Sequence, residues 1–249
     1  MQTFLQSACE AALCTGGFLY SHFGKKELQV DVREAHDIKL ALDKSSQRLI
    51  ENMLLKRHPK HAIYGEEGMK GDRSAAYQWI VDPIDGTSNF FFGIPHFAIS
   101  IALRHRAQIL AGVVYDPIRD ELWAVEKGST PTLNGSPISV SGRNTLTDAV
   151  VSVGVSKSLE SIQSGLSLLQ RMIGVANKCR LMGSAALDMA YVACGRLDAY
   201  TENRINLWDI AAGMALIEAA GGKVDLTPCP EQLDKYSIVA TSGNIHLTL

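Results

Sequence analysis

This 249-residue chain has no excess of either charge, no paired cysteines and no long apolar run. Each absence removes a class of function. Twenty-four basic against twenty-six acidic side chains leave a formal net charge of −2. No global basic field is therefore offered to nucleic acid or to an anionic membrane. The five cysteines (Cys9, Cys14, Cys179, Cys194, Cys229) contain no CxxC pair, and their number is odd. That argues against a disulfide framework or a zinc site and for a reducing compartment. The histidines show no HExxH spacing, so oxygen ligands dominate and Mg²⁺ is favoured over Zn²⁺. No apolar run reaches the length of a membrane span. The first residues, Met1-Gln2-Thr3-Phe4-Leu5-Gln6-Ser7, lack the basic start and apolar core of a signal peptide, which leaves a cytoplasmic location as the default. What is present, 46% hydrophobic and 20% charged residues, suits a globular protein of one large or two small domains.

Periodicity divides the chain into two halves. Phe4, Leu5, Ala8, Ala12, Phe18 and Leu19 predict a helix over 4–23, and the polar segment 24–36 reads as a loop or weak hairpin. A second amphipathic helix is expected from about Asp37, carrying Leu42, Leu49, Ile50, Met53 and Leu54 and stopping before Pro59. Strands are expected at Ala62–Tyr64, Tyr77–Val81, Phe97–Leu103, Ile109–Tyr115 and Glu121–Val125, making a largely antiparallel sheet. The second half alternates: strands near Ala149–Val153, 177–181 and 197–201 are interleaved with helices at 159–172, 184–194 and 208–220. Strands near 223–226 and 236–240 follow. Ile162, Leu166, Leu169 and Ile173 predict the stripe of the 159–172 helix. Such alternation argues for an α/β unit. The boundary is placed near Ser141-Gly142-Arg143-Asn144, giving 1–142 as a metal- and phosphate-binding α+β half and 143–249 as an α/β half that completes the site.

One stretch carries most of the chemistry: Trp79-Ile80-Val81-Asp82-Pro83-Ile84-Asp85-Gly86-Thr87-Ser88-Asn89-Phe90. An apolar strand ends directly in two aspartates, hard oxygen ligands of the type Mg²⁺ prefers. Pro83 biases Asp82 toward an extended conformation and stiffens the turn between the carboxylates. Gly86 allows close backbone approach, and Thr87, Ser88 and Asn89 are helix-capping residues that mark a potential anion site. A surface turn would explain any two of these residues, but less well a strand that runs straight into a carboxylate. Metal-assisted phosphate chemistry accounts for the order.

Other acids are less informative alone. Gly65-Glu66-Glu67-Gly68 follows a short strand and could be an exposed acidic turn. Asp209 opens an apolar helix after Trp208, where the helix dipole alone would favour an acid. Asp43 could be an exposed helix residue.

Together, however, these pieces fall in the order and approximate spacing of the inositol monophosphatase family. The chain resembles it through Gly65-Glu66-Glu67, Asp82-Pro83-Ile84-Asp85-Gly86-Thr87, Trp208-Asp209-Ile210-Ala211-Ala212-Gly213 and Glu218-Ala219-Ala220-Gly221-Gly222. Gly112–Pro117, Leu133-Asn134-Gly135 and Gly183-Ser184-Ala185-Ala186 extend the resemblance over nearly the whole chain. It implies an α/β fold, a layered αβαβα sandwich, and an Mg²⁺-dependent, lithium-sensitive phosphatase. By position, Glu66, Asp82 and the Ile84 carbonyl match a first metal site, and Asp82, Asp85 and Asp209 a second. The resemblance also implies that Glu66 with water can help hold a third, weaker ion. Asp43 and Thr87 match the pair that activates water, Gly86 and Thr87 the phosphate-binding amides, and Gly183, Ser184, Ala185 and Glu202 the positions facing the substrate's alcohol.

The chain departs from the family where Leu40 stands for the usual threonine between Asp37 and Asp43. Val32–His36 also lacks the usual lysine-glycine-aspartate lead-in, and Ser129-Thr130-Pro131-Thr132 replaces a glycine-alanine stretch. The resemblance implies hydrolysis of a small phosphate monoester by a homodimer. Inositol monophosphate leads, and fructose 1,6-bisphosphate, NADP(H) and histidinol phosphate are alternatives. The Thr-Ser-Asn-Phe ending at 87–90 resembles the inositol branch more than the nucleotide-bisphosphate branch, where lysine commonly follows the threonine. A non-catalytic regulator that binds RNA or polymerase is the reading from another class.

Overall fold

The computed structural model describes residues 3–25, 28–34, 37–155, 158–230 and 234–247. Helix α1 (Phe4–Tyr20) starts at a reciprocal cap in which Thr3 Oγ1 accepts the Gln6 N–H and Gln6 Oε1 accepts the Thr3 N–H. A two-stranded hairpin, β1 (Val30–Glu34) and β2 (Asp37–Leu40), leads into α2 (Ala41–Arg57). The helix expected from Asp37 therefore begins at Ala41, because Asp37–Leu40 pairs with β1. The Leu40 N–H donates to Asp43 Oδ2 at 2.6 Å, which fixes the start of the helix one turn ahead of that carboxylate. Residues 35 and 36 of the unusual lead-in lie outside the described residues.

The next strands are β3 (Ala62–Gly65), β4 (Gly68–Lys70) and β5 (Tyr77–Asp85), followed by the short helix α3 (Thr87–Phe91). After it come β6 (Ala98–His105), β7 (Gln108–Asp116), β8 (Glu121–Glu126), β9 (Thr132–Leu133) and β10 (Ser136–Pro137). They form an eight-stranded sheet in the order β10-β9-β8-β7-β6-β5-β3-β4, antiparallel except for the β3/β5 pair. Strands β4, β9 and β10 have no counterpart in the sequence reading; two or three residues are too few to display an alternation.

The second half supplies β11 (Val150–Val153), α4 (Leu159–Ile173), β12 (Lys178–Arg180), α5 (Ala185–Ala193), β13 (Ala199–Asn206), α6 (Leu207–Ala219), β14 (Lys223–Pro228) and β15 (Lys235–Thr241). Its sheet runs β12-β11-β13-β15-β14, with β12, β11 and β13 parallel and the remaining pairs antiparallel.

Strand alternation assembles the layers. On β5, Trp79 and Val81 join α1 and α2 in one core, whereas Ile80 points the other way to α5 and α6. Those two helices are covered on their far side by Tyr200, Ile238 and Ala240 of the second sheet. On β13, Ala199 faces the opposite way from Tyr200 and packs with Leu168 and Met172 of α4. The result is α1/α2, sheet, α5/α6, sheet, α4: the αβαβα sandwich. On α4 the buried residues are Ser161, Gly165, Leu168 and Met172. The expected stripe lies beside them, with Leu166 and Ile173 exposed, because Gly165 lets Val155 and the Gly154 carbonyl lie close against the helix.

Candidate active site

The site is built on an irregularity in β5. Pairing with β6 runs regularly from Tyr77 to Asp82, then shifts before resuming at Asp85 opposite Ala98. Pro83, which has no N–H to give the ladder, sits in this bulge. The Ile84 N–H donates instead to Asp82 Oδ1 at 3.0 Å. In a regular strand, residues three apart point to opposite faces. Here the bulge turns Asp82 and Asp85 toward each other, and α6 brings Asp209 to the same place, so that one oxygen from each lies within 4.8 Å of the others.

Each carboxylate is held by its surroundings. Asp85 Oδ2 accepts the Ser184 hydroxyl at 2.5 Å and the Ala186 N–H at 2.7 Å, both from the start of α5. Asp209 Oδ2 accepts the backbone and side-chain N–H groups of Asn206, each at 3.1 Å, as part of the cap of α6. The β3–β4 turn carries Glu66, whose N–H donates to the Val81 carbonyl at 3.1 Å. Burial raises the Asp82 pKa well above its ordinary value, and the neighbouring charges of Glu66, Asp85 and Asp209 add to the effect. Asp85 and Asp209 are raised in the same way, burial first. A cation among these oxygens would remove the repulsion that raises them, and an all-oxygen donor set suits a hard divalent ion.

The other expected residues surround this cluster. Gly86, at φ +93°, turns the chain from β5 into α3. A Cβ there would lie 3.1 Å from the carbonyls of both Gly183 and His96, so the position demands glycine on two counts. Thr87 Oγ1 lies 2.9 Å from the Ile84 carbonyl and 3.4 Å from Asp43 Oδ1, in donor geometry to both. Asp43 is not the exposed helix residue that its sequence context allowed. It is buried, and desolvation, with Glu66 and Glu67 nearby, pushes its pKa up to about 7. Ser184 is buried with its hydroxyl committed to Asp85, and Ala185 begins α5. Glu202 accepts the Tyr200 hydroxyl at 2.5 Å and packs against Gly154. Burial first, then the charges of Asp209 and Asp85, push its pKa up to about 8.

The supporting roles of three residues escaped the sequence reading. Ala186 acts through its backbone, which leaves no trace in side-chain type. Asn206 could have been found as a cap residue three positions before Asp209. Asn89 Nδ2 donates to the carbonyls of His96 (2.8 Å) and Met182 (2.9 Å), tying the 89–96 loop to the Gly183 turn. Its place in the central motif was visible, but its partners were not.

The model of the inositol monophosphatase family matches residues 1–249. The chain belongs to that family. It is a family of phosphatases, enzymes that hydrolyse phosphoric monoesters. An inositol-1-monophosphatase from Rhizobium meliloti is 40% identical over 96% of this chain and 90% of its own length. A Nus factor SuhB from Pseudomonas aeruginosa is 37% identical over 96% and 92%. The solved inositol monophosphatase from Anabaena superimposes with a TM-score of 0.84 at 34% identity, covering 98% of this chain and 92% of the other. The layered sandwich is thus the family fold. Among the described residues, no helix is long and apolar enough to cross a membrane.

Proposed function

We propose that the protein hydrolyses inositol monophosphate or a related sugar phosphate with Mg²⁺, using the residues gathered around Asp82. The observation that carries this is the convergence of Asp82, Asp85 and Asp209 beside the Thr87–Asp43 pair. Glu66, Asp82 and the Ile84 carbonyl would hold one ion and Asp82, Asp85 and Asp209 a second, with a third, weaker ion at Glu66. Bound Mg²⁺ would acidify water and offset negative charge on the phosphate and the departing oxygen. Thr87 orients the attacking water through its hydroxyl, and Asp43 takes up the proton released. The ester P–O bond breaks as water's oxygen attacks phosphorus, the departing alkoxide takes a proton from solvent, and the products are the alcohol and inorganic phosphate. The N–H groups of Gly86 and Thr87 meet the phosphoryl oxygens. Glu202 accepts hydrogen bonds from the substrate's hydroxyl groups, with Gly183, Ser184 and Ala185 lining that side.

Residues 1–142 and 143–249 are read as halves sharing this site; in support, the eight-stranded sheet and the β1–β2 hairpin lie in the first, the five-stranded sheet lies in the second, and the carboxylates come from both. A homodimer is supported by exposed Phe92, Ile94 and Leu181, on the two loops that Asn89 joins. Sedimentation would test it. A reducing, cytoplasmic setting fits five free thiols.

The deciding experiment is a panel of phosphate esters (inositol monophosphate, fructose 1,6-bisphosphate, NADP(H), histidinol phosphate and glycerol 2-phosphate) with and without Mg²⁺. Phosphate release only with Mg²⁺, fastest on inositol monophosphate, is expected; a preference for another ester reassigns the substrate. Li⁺ should inhibit, and normal Mg²⁺ turnover at high Li⁺ would count against the family-like metal sites. The Nus factor name of the Pseudomonas relative motivates a second reading, a non-catalytic regulator binding RNA or polymerase. The complete acidic set supports catalysis, and absence of turnover on every ester would favour the regulator.

A further inference from the structure

We infer that Gln47 is a positioning residue that fixes Glu66 for metal binding. Gln47 lies on α2 four residues after Asp43 and four before Glu51, and all three are buried on one face of the helix. Its carboxamide is committed at both ends. Oε1 accepts the Glu67 N–H at 2.9 Å. Nε2 donates to the Gly68 carbonyl at 3.1 Å and to Glu51 Oε1 at 2.9 Å. Glu51 in turn accepts Lys70 Nζ at 3.1 Å. The two residues that follow Glu66 are therefore clamped to α2, while the Glu66 N–H is held by the Val81 carbonyl of β5. Between them the backbone of Glu66 has little freedom to move.

The residue type follows from the charges around it. Asp43, Glu51, Glu66 and Glu67 all lie close by, with Lys39 paired to Glu67 and Lys70 to Glu51. A glutamate at 47 would face Glu51 directly. A methionine would fill the space but leave the Glu67 N–H and the Gly68 carbonyl without their partner, at the cost of an unmade bond in a half-buried turn. Only an uncharged group with a donor and an acceptor closes this turn. The fit extends to Gly65, where a Cβ would lie 2.3 Å from Gln47 Oε1. The amide thus bears on the turn from both sides of Glu66.

This inference rests on reading Glu66 as a metal ligand, and its test reads binding directly. Mn²⁺ is titrated into the 249-residue chain without substrate and followed by electron paramagnetic resonance, and Mg²⁺ is titrated by calorimetry. Gln47→Met should raise the metal dissociation constant about tenfold, the usual scale for loss of a group that orients a ligand. Gly65→Ala, which drives a methyl into the same amide, should do likewise. The double variant should be little worse than either single one, because both break one contact. At saturating Mg²⁺ the kcat of Gln47→Met should stay near wild type. A folded Gln47→Met or Gly65→Ala protein with a wild-type isotherm, whatever its Tm, overturns the inference and leaves the proposed activity standing. If Gln47→Met does not fold, Gly65→Ala decides. Failure of the wild type to bind either ion would overturn both the inference and the metal reading beneath it.

Discussion

Thr87 and Asp43 give the sharpest residue-level tests, because their contact is loose enough to be useful only with a third group between or beside them. Thr87→Ala should lower kcat by about 10² or more with little change in KM; a rise in KM alone would make Thr87 a phosphate-binding residue. Asp43 can accept a proton only when ionised, and its raised pKa predicts activity that climbs with pH on an acid limb near or below 7. Cations nearby draw that limb downward, and Asp43→Asn should remove it along with most of the turnover. Asp82→Asn should abolish hydrolysis yet raise the Tm of the metal-free protein, since it removes one of four crowded acids, the others being Glu66, Asp85 and Asp209. Near-normal activity in that variant would remove Asp82 from the metal sites. Glu202→Gln should lower kcat/KM more for inositol monophosphate than for glycerol 2-phosphate, and equal losses would make its role general. Asp43, Glu66, Glu202 and Asp209 were reached only through the family resemblance, whereas Asp82 and Asp85 could be singled out from sequence because a carboxylate at a strand end announces its chemistry. Gln47 could not, since a helical glutamine looks the same whether it faces solvent or clamps a turn twenty residues away.

At the scale of elements, long strands and helices could be read and their ends could not. The β5 bulge illustrates why: Pro83 signalled a break in the strand, but pairing resumes at Asp85, so the strand runs four residues past its expected end at Val81. Likewise α2 starts late because β1 claims Asp37–Leu40, a tertiary choice invisible to periodicity. Contacts between elements suggest a further test. Gly112 of β7 lies against α6, and a Cβ there would sit 2.8 Å from the Ala212 carbonyl oxygen and 3.2 Å from its Cα. Backbone cannot rotate away as a side chain can. Gly112→Ala should therefore push α6 outward, costing roughly 1–3 kcal/mol by urea denaturation. Because α6 carries Asp209, metal affinity should fall with it. Unchanged stability would mean the sheet and helix slide past each other more freely than their packing suggests.

For the whole molecule, the buried acids make stability depend on pH and metal together. Asp43, Asp82, Asp85, Asp188, Glu202 and Asp209 all have folded pKa values above their unfolded ones. Their contribution is complete below the unfolded values and is lost as pH rises through the folded ones, up to about 8 for Glu202. His58, His61 and His96 are lowered by burial, so theirs is present above 6.5 and lost as pH falls. Between pH 6.5 and 8 only the acids change, and the metal-free Tm should fall across that window. Mg²⁺ should raise the Tm more at pH 8 than at pH 6.5; equal increments would disconnect the ion from these acids. The five layers were implied by the family resemblance, while alternation alone suggested only two halves; which strand lay beside which depended on contacts far apart in the chain. That separation bears on how the protein is made. Asp82 and Asp85 leave the ribosome well before Asp209, and the helix bearing Asp209 must lodge between both sheets before its carboxylate can join theirs. The site proposed at Asp82, Asp85 and Asp209 therefore closes late in folding, and an ion bound there would stabilise the finished protein rather than guide the nascent chain to that point.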